Sequence, residues 1–80
     1  MAVDFTLPSL AAEMEYGTIL RWLKRVGDSV TVGEPVVEVE ADKANYELES
    51  PFHGRLAEIV AFEGDEVKVG GLLAIFEDAQ

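Results

Sequence analysis

GTILRWLKRVGDSVTVGEPVVEVEA (residues 17–41) and GRLAEIVAFEGDEVKVGGLLAIFED (residues 54–78) repeat one pattern at a constant offset of 37 residues. Seven positions are identical: Gly17/Gly54, Gly27/Gly64, Asp28/Asp65, Val30/Val67, Val32/Val69, Gly33/Gly70 and Glu40/Glu77. Each copy reads as a strand, a Gly-Asp turn, a short Val-x-Val strand, a glycine turn and a further strand. Chance among common strand residues would not preserve an ungapped GD-x-V-x-V-G core. The repeat predicts an all-β domain, a flattened barrel or sandwich with pseudo-two-fold symmetry, each half covering the other's apolar face.

Between the copies lies the stretch EVEADKANYE, residues 38–47. Val37, Val39 and Ala41 alternate with Glu38 and Glu40. After the break, Tyr46 and Leu48 alternate with Asn45, Glu47 and Glu49. Asp42 and Lys43 therefore sit at the tip of a hairpin. They lack the glycine that favours a type I′ turn, so the turn type stays open. From Glu34 to Glu49 there are six carboxylates and one basic residue, Lys43. An exposed pair with Asp42, Glu40 or Glu47 contributes only about 0–1 kcal/mol, too little to require a lysine there. The 37-residue offset maps the tip onto residue 80, so Lys43 should project from the pole opposite the chain end.

Two segments are less decided. SLAAEMEY, residues 9–16, is rich in helix formers but too short for a stable helix, and reads as a loop or a single turn. The strand at 18–24 carries apolar residues on both parities, which requires either two covered faces or a bulge.

Composition removes several classes of function. Eighty residues make one domain, spanning 1–80 with an expected ordered core of about 3–77. There are no cysteines and one histidine, which excludes disulfides and thiolate or histidine-cluster metal sites. A net charge of −10 disfavours nucleic acid and anionic membranes. It favours basic surfaces on other proteins. No apolar run is long enough to span a bilayer. MAVDFTLP lacks the features of a signal or transit peptide, which fits a cytoplasmic protein or one trimmed of its leader, such as a mitochondrial-matrix protein. No nucleophile–base pair is apparent, so no catalytic residue is expected. His53 reads as an exposed turn residue. Asp28, Asp65 and Glu66 could be imagined around calcium, but Gly-Asp turns account for the aspartates without a metal.

The chain resembles the lipoyl domains of the acyltransferase (E2) components of 2-oxo acid dehydrogenase complexes, from about Phe5 to Phe76. LPSLAAEMEYGTI, RWLKRVGDSVTVGEPVVEVEADKA and SPFHGRLAEIVAFEGDEVKVGGLLAIF carry the resemblance. It implies a barrel-sandwich hybrid of two four-stranded antiparallel sheets, with lipoic acid amide-linked to Lys43. It further implies that Asp42, Ala44, Glu40, Gly27 and Gly54 help to present that lysine; for the glycines, the physical reading is turns needing positive φ or close backbone approach. Ser9, Leu10, Ala11, Ala12, Glu13, Glu15 and Tyr16, with Glu47, would be read by partner enzymes. Those partners would be a lipoyl ligase or transferase, a thiamine-diphosphate 2-oxo acid decarboxylase, dihydrolipoamide dehydrogenase and the acyltransferase core. The domain would be a carrier and not itself an enzyme, although a longer parent chain would be an acyltransferase. Ala41 stands where the family usually has threonine, and Ala11, Ala12 and Tyr16 differ from its common loop residues. A biotin carrier of the related family typically has methionines flanking its lysine, whereas Asp42 and Ala44 flank Lys43 and the methionines are Met1 and Met14. An unmodified structural barrel is the remaining alternative.

Overall fold

The computed structural model describes residues 1–78, and every regular element in them is a strand. These are β1 (Ala2–Thr6), β2 (Tyr16–Trp22), β3 (Ser29–Val30), β4 (Pro35–Ala41), β5 (Ala44–Glu49), β6 (Gly54–Ile59), β7 (Glu66–Lys68) and β8 (Leu72–Asp78). They form two antiparallel four-stranded sheets, ordered β1-β8-β6-β3 and β5-β4-β2-β7. The domain measures 36 × 21 × 18 Å.

The repeat is carried into the hydrogen-bond register. Thr18↔Glu40, Ile19↔Val39, Arg21↔Glu38 and Trp22↔Val37 in one sheet match Arg55↔Glu77, Leu56↔Phe76, Glu58↔Ile75 and Ile59↔Ala74 in the other. Each number is raised by 37. Both ladders slip at the same place, leaving Leu20 and Ala57 as the extra residues. The mixed parity of β2 is thus a bulge, which turns Leu20 out of simple alternation. The strand itself starts earlier and ends sooner than the predicted 18–24, taking in Tyr16 and stopping at Trp22. Leu23 bonds back to the Val36 carbonyl beyond the strand proper. The Val-x-Val strands are likewise shifted and short, because only Ser29–Val30 and Glu66–Lys68 are paired.

The fourth strand of each sheet breaks the simple offset. β5 would map beyond residue 80, and β1 takes its place, since Asn45, Tyr46, Glu47 and Leu48 oppose β4 as Ala2, Val3, Asp4 and Phe5 oppose β8. Pro8 and Pro51 then correspond, at an offset of 43, a second repeat that reading the chain from end to end conceals. At the end of the β1–β8 pair, the Asp78 N–H donates to the Met1 carbonyl at 3.0 Å. Residue 80, onto which the tip was mapped, lies outside the described residues.

The core lies between the sheets and is built from Phe5, Leu7, Ile19, Val30, Val36, Val37, Val39, Leu48, Leu56, Leu73 and Phe76, with Ala61 and Ala74. Phe76 is the centre of an aromatic cluster, with ring centroids 5.2 Å from Phe5 and 5.3 Å from Phe52. The Gly-Asp turns are also a matched pair. Gly27 and Gly64 take φ of 98° and 90°, which an L side chain resists. Asp28 and Asp65 each accept the N–H three residues earlier, from Arg25 and Phe62, at 2.9 Å. The aspartates are thus spent on backbone N–H groups, and no cluster suited to a metal occurs among the described residues.

Candidate functional site: the β4–β5 hairpin tip

β4 and β5 are paired from Val37↔Leu48 to Ala41↔Ala44, leaving a two-residue loop of Asp42 and Lys43. Right-handed strand twist favours type I′ or II′ for such a short loop, and type I′ puts both residues in the left-handed region. Both lie there, with φ of 50° for Asp42 and 66° for Lys43, the signature of a type I′ turn. The turn that lacks its favoured glycine is therefore the type I′ turn all the same. Non-glycine residues pay about 1–2 kcal/mol each for that conformation. The strain falls on Asp42 and on the one lysine of the acidic stretch.

Lys43 and Asp42 are exposed, between a buried Ala41 and a half-buried Ala44. Among the described residues no carboxylate lies within ion-pair distance of Lys43 Nζ; the ion pairs are Arg21–Glu38 at 3.3 Å and Lys24–Glu34 at 2.7 Å. Neither Glu40 nor Glu47 is its partner, although both are exposed on the same hairpin. Glu40 opposes Asn45, and Glu47 opposes Glu38. The amine thus stands free at the end of a flexible stem on a rigid base. That is the arrangement a primary amine needs to enter the active site of another enzyme and form an amide.

The loop that precedes β2 arrives at this same end. Thr18 pairs with Glu40, so Tyr16 begins its strand level with the hairpin tip. Within the loop, the Met14 N–H reaches the Ala11 carbonyl at 3.3 Å, closing a turn over Ala12 and Glu13, and Glu13 has a φ of 63°. Ser9 Oγ donates to the Ala11 carbonyl at 3.3 Å. Leu10 and Met14 pack against the core, whereas Ser9, Ala12, Glu13, Glu15 and Tyr16 are exposed. The Met14 methyl would lie 3.3 Å from any Cβ on Gly17, and Val39 Cγ1 only 2.9 Å, so only glycine fits under this loop. In the sequence, Gly17 stands only as a repeat position. Its signal was present: glycine begins both repeat copies, where a turn is not expected.

The remaining sequence-derived positions lie elsewhere. Gly27 is in the turn after β2, and its N–H bonds to the Leu56 carbonyl of the other sheet. Gly54 is not a turn residue. It lies in β6, opposite Val30 and Asp78, and shows no positive φ. The ladder partners of Gly54 are not hairpin residues, so any influence on Lys43 passes through the fold. His53 is exposed, with Nδ1 3.4 Å from the Val32 N–H. Lys68, opposite Tyr16 on β7, is an exposed lysine at the same end of the sheet as the tip but within a strand. Away from the tip, Glu34 is held below its ordinary 4.5 by its bond to Lys24, supported by the Thr31 N–H.

Comparison with known proteins agrees with this geometry. The family model described as "Biotin-requiring enzyme", the biotin–lipoyl family, matches residues 3–76. The acetyltransferase component of the pyruvate dehydrogenase complex of Corynebacterium glutamicum is 48% identical over 79 residues, 99% of this chain and 12% of that protein. The succinyltransferase component of the 2-oxoglutarate dehydrogenase complex of Staphylococcus saprophyticus is 51% identical over 72 residues, 90% of this chain and 17% of that protein. The chain thus spans less than one-fifth of either relative. The solution structure of the lipoyl domain of the 2-oxoglutarate dehydrogenase complex from Azotobacter vinelandii superposes with a TM-score of 0.80 at 33% identity, covering 98% of this chain and 99% of that one. A single-chain, multi-domain long-chain acyl-CoA carboxylase has the same fold in 7% of its length, with a TM-score of 0.83 at 20% identity. The chain belongs to the biotin–lipoyl attachment family, and within it is similar to the lipoyl domains of 2-oxo acid dehydrogenase acyltransferases.

Proposed function

We propose that Lys43 carries lipoic acid in amide linkage, and that the domain presents this arm in turn to the enzymes of a 2-oxo acid dehydrogenase complex. The observation that supports this most is the free Lys43 amine on a strained type I′ turn, where no ion pair among the described residues accounts for it. The residues present fit the group: an exposed primary amine can take an acyl group with loss of one proton, and nothing beside it must be displaced. Asp42 and Ala44 are not the methionines typical of biotin acceptors. Two relatives at 48% and 51% identity are dihydrolipoyllysine-residue acyltransferases, which favours the lipoyl reading over the biotin one.

When attached, lipoic acid supplies a dithiol–disulfide couple that carries acyl groups and reducing equivalents. The protein's own residues do three things. The β4–β5 ladder fixes the root of the arm, so its reach is measured from a rigid point. Exposed Glu40, Asp42 and Glu47 give the tip a negative field that steers it toward a basic channel mouth. The loop at 9–16 offers a shaped surface beside the tip. A lipoyl ligase or transferase would load Lys43. A thiamine-diphosphate decarboxylase, the acyltransferase core and dihydrolipoamide dehydrogenase would then use the arm in succession.

The test compares kcat/KM of a decarboxylase for the lipoylated domain and for free lipoamide across a salt series. The domain is expected to be much the better substrate. Neutralising Glu40 and Glu47 should reduce that advantage chiefly at low salt, where the Debye length exceeds about 10 Å. Altering Glu13 and Tyr16 should reduce it at any salt. Equal use of free lipoamide would contradict a recognised domain.

A further inference from the structure

The two halves make one equivalent connection at very different lengths. Leu7 and Ser50 hold matching places: their carbonyls accept the Gly70 and Gly33 N–H groups at 2.8 and 2.9 Å. They donate in turn to the Gly71 and Glu34 carbonyls. From there to the glycine that opens a repeat copy, one half uses nine residues (8–16) and the other three (51–53). Both far ends are held, by the Val69 N–H on the Glu15 carbonyl and by the Val32 N–H on His53 Nδ1. Pro8 matches Pro51, and Glu15 and Tyr16 match Phe52 and His53 at the 37-residue offset, so the excess is residues 9–14. The short form closes its half of the barrel, so the fold does not require the added segment. Among the described residues, the hydrogen bonds of 9–14 all lie inside it. Ser9 Oγ and the Met14 N–H both donate to the Ala11 carbonyl, and the Leu10 N–H donates to Met14 Sδ at 3.2 Å. The side chains that tie the segment to the core are Leu10 and Met14.

We infer that Met14 is the positioning residue of this added segment: given the carrier role proposed above, its thioether holds Ala12 and Glu13 in the shape that the decarboxylase reads. Met14 does two things at once. Its methyl lies over Gly17, 3.3 Å from where a Cβ would stand. Its sulfur takes the part-buried Leu10 N–H, which has no other partner among the described residues. A thioether is a weak acceptor, but a backbone N–H left unpaired away from water is costly, so the sulfur is worth keeping there. A leucine would fill similar space and offer no acceptor. With the base of the segment clasped in this way, Ala12 and Glu13 are carried outward and exposed, and Glu13 is set at a φ of 63°. The segment runs directly into Tyr16, level with the hairpin tip, so it stands beside the root of the arm. An addition that the fold does not need, at the end where Lys43 projects, is placed to be read by the enzyme that receives the arm.

The test compares lipoylated domains carrying methionine, norleucine or selenomethionine at both methionine positions, Met1 and Met14. Norleucine keeps the side-chain shape and lacks the acceptor, whereas selenium keeps both. Met1 is 84% exposed and lies outside the segment, so its replacement should be silent. The readouts are exchange of the Leu10 amide with water, and KM and kcat of a 2-oxo acid decarboxylase for each domain, with free lipoamide alongside. Norleucine is expected to speed Leu10 exchange and to raise KM about fivefold with kcat unchanged, as loss of one hydrogen bond does. Lipoylation of Lys43 and the urea midpoint should stay near the parent values, because the freed Leu10 N–H turns to water as the segment opens. Selenomethionine should return KM and exchange to the parent values. Unchanged Leu10 exchange or unchanged KM with norleucine would overturn the inference, as would an equal KM rise with selenomethionine. A KM rise accompanied by poorer lipoylation or a lower urea midpoint would make Met14 a structural residue only, and would overturn it too. If the decarboxylase used free lipoamide as well as the parent domain, the recognition reading itself would fall, and this inference with it. A preferred parent domain matched by the norleucine domain would sink the role of Met14 alone.

Discussion

Replacing Lys43 by glycine is expected to stabilise the domain while abolishing its proposed function. Lys43 holds a φ of 66°, and a side chain in that region costs about 1–2 kcal/mol. Glycine removes this cost but loses about 0.5–1 kcal/mol more backbone entropy on folding. Lys43 makes no ion pair among the described residues, so little else is lost. The net gain is about 0.5–1 kcal/mol. For a domain of this size a urea m-value is about 1 kcal/mol/M, so the midpoint should rise by about 0.5–1 M with m unchanged. Asp42→Asn with Lys43→Gly installs the favoured Asn-Gly pair and should gain somewhat more. Lys43→Arg is the control, with the same backbone penalty and an unchanged midpoint. If Lys43→Gly lowered the midpoint, the lysine would be contributing stability and its role as an exposed attachment point would lose its physical basis. A gain would mean that the chain keeps a destabilising lysine at this position, as functional sites often do.

The other outcomes follow from single contacts. Gly17→Ala would set a Cβ 2.9 Å from Val39 Cγ1 and should destabilise by about 1–3 kcal/mol, displacing the 9–16 loop and impairing partner recognition more than lipoylation. Glu13→Gly relieves a φ of 63° and should raise the urea midpoint by a margin similar to that of Lys43→Gly. Trp22→Phe loses the 2.8 Å bond to the Ala61 carbonyl and should cost about 1 kcal/mol in chemical denaturation. The Glu34 carboxyl is lowered in the folded state, so its contribution is present above its ordinary 4.5 and is lost as pH falls through the folded-state value. Glu34→Gln should therefore be less stable than the parent at pH 7, with the difference closing in acid.

The fold was legible because its two halves state the same pattern twice. Alternation at 35–41 and the ungapped Gly-Asp core fixed strands and turns, and the offset carried over into the ladder register. The correspondence of β1 with β5 was hidden because the repeat is circularly permuted, with Pro8 at the start of the chain and Pro51 in its middle. The bulge at Leu20 was visible only as mixed parity, since a slip in register is a property of two strands and not of one. Lys43 stood out by charge contrast, but its type I′ geometry did not, because tertiary pairing of Ala41 with Ala44 overrides the local preference for glycine. Of the two readings of Gly54, a turn with positive φ or a close backbone approach, the strand position removes the first, because glycine in a strand and glycine in a turn look alike in one dimension.

The central claim is tested most directly by peptide mapping after incubation with a lipoyl ligase, lipoic acid and ATP. The chain contains three lysines, Lys24, Lys43 and Lys68, which makes the experiment an internal competition. Lys24 is tied to Glu34 at 2.7 Å, whereas Lys68 is exposed on β7 at the same end of the sheet as the tip. A single lipoyl group confined to Lys43, and none on Lys43→Arg, is the expected result. Lipoylation of Lys68 to a similar extent would show that exposure alone is sufficient, and modification of Lys43→Arg at the parent level would contradict the assignment outright.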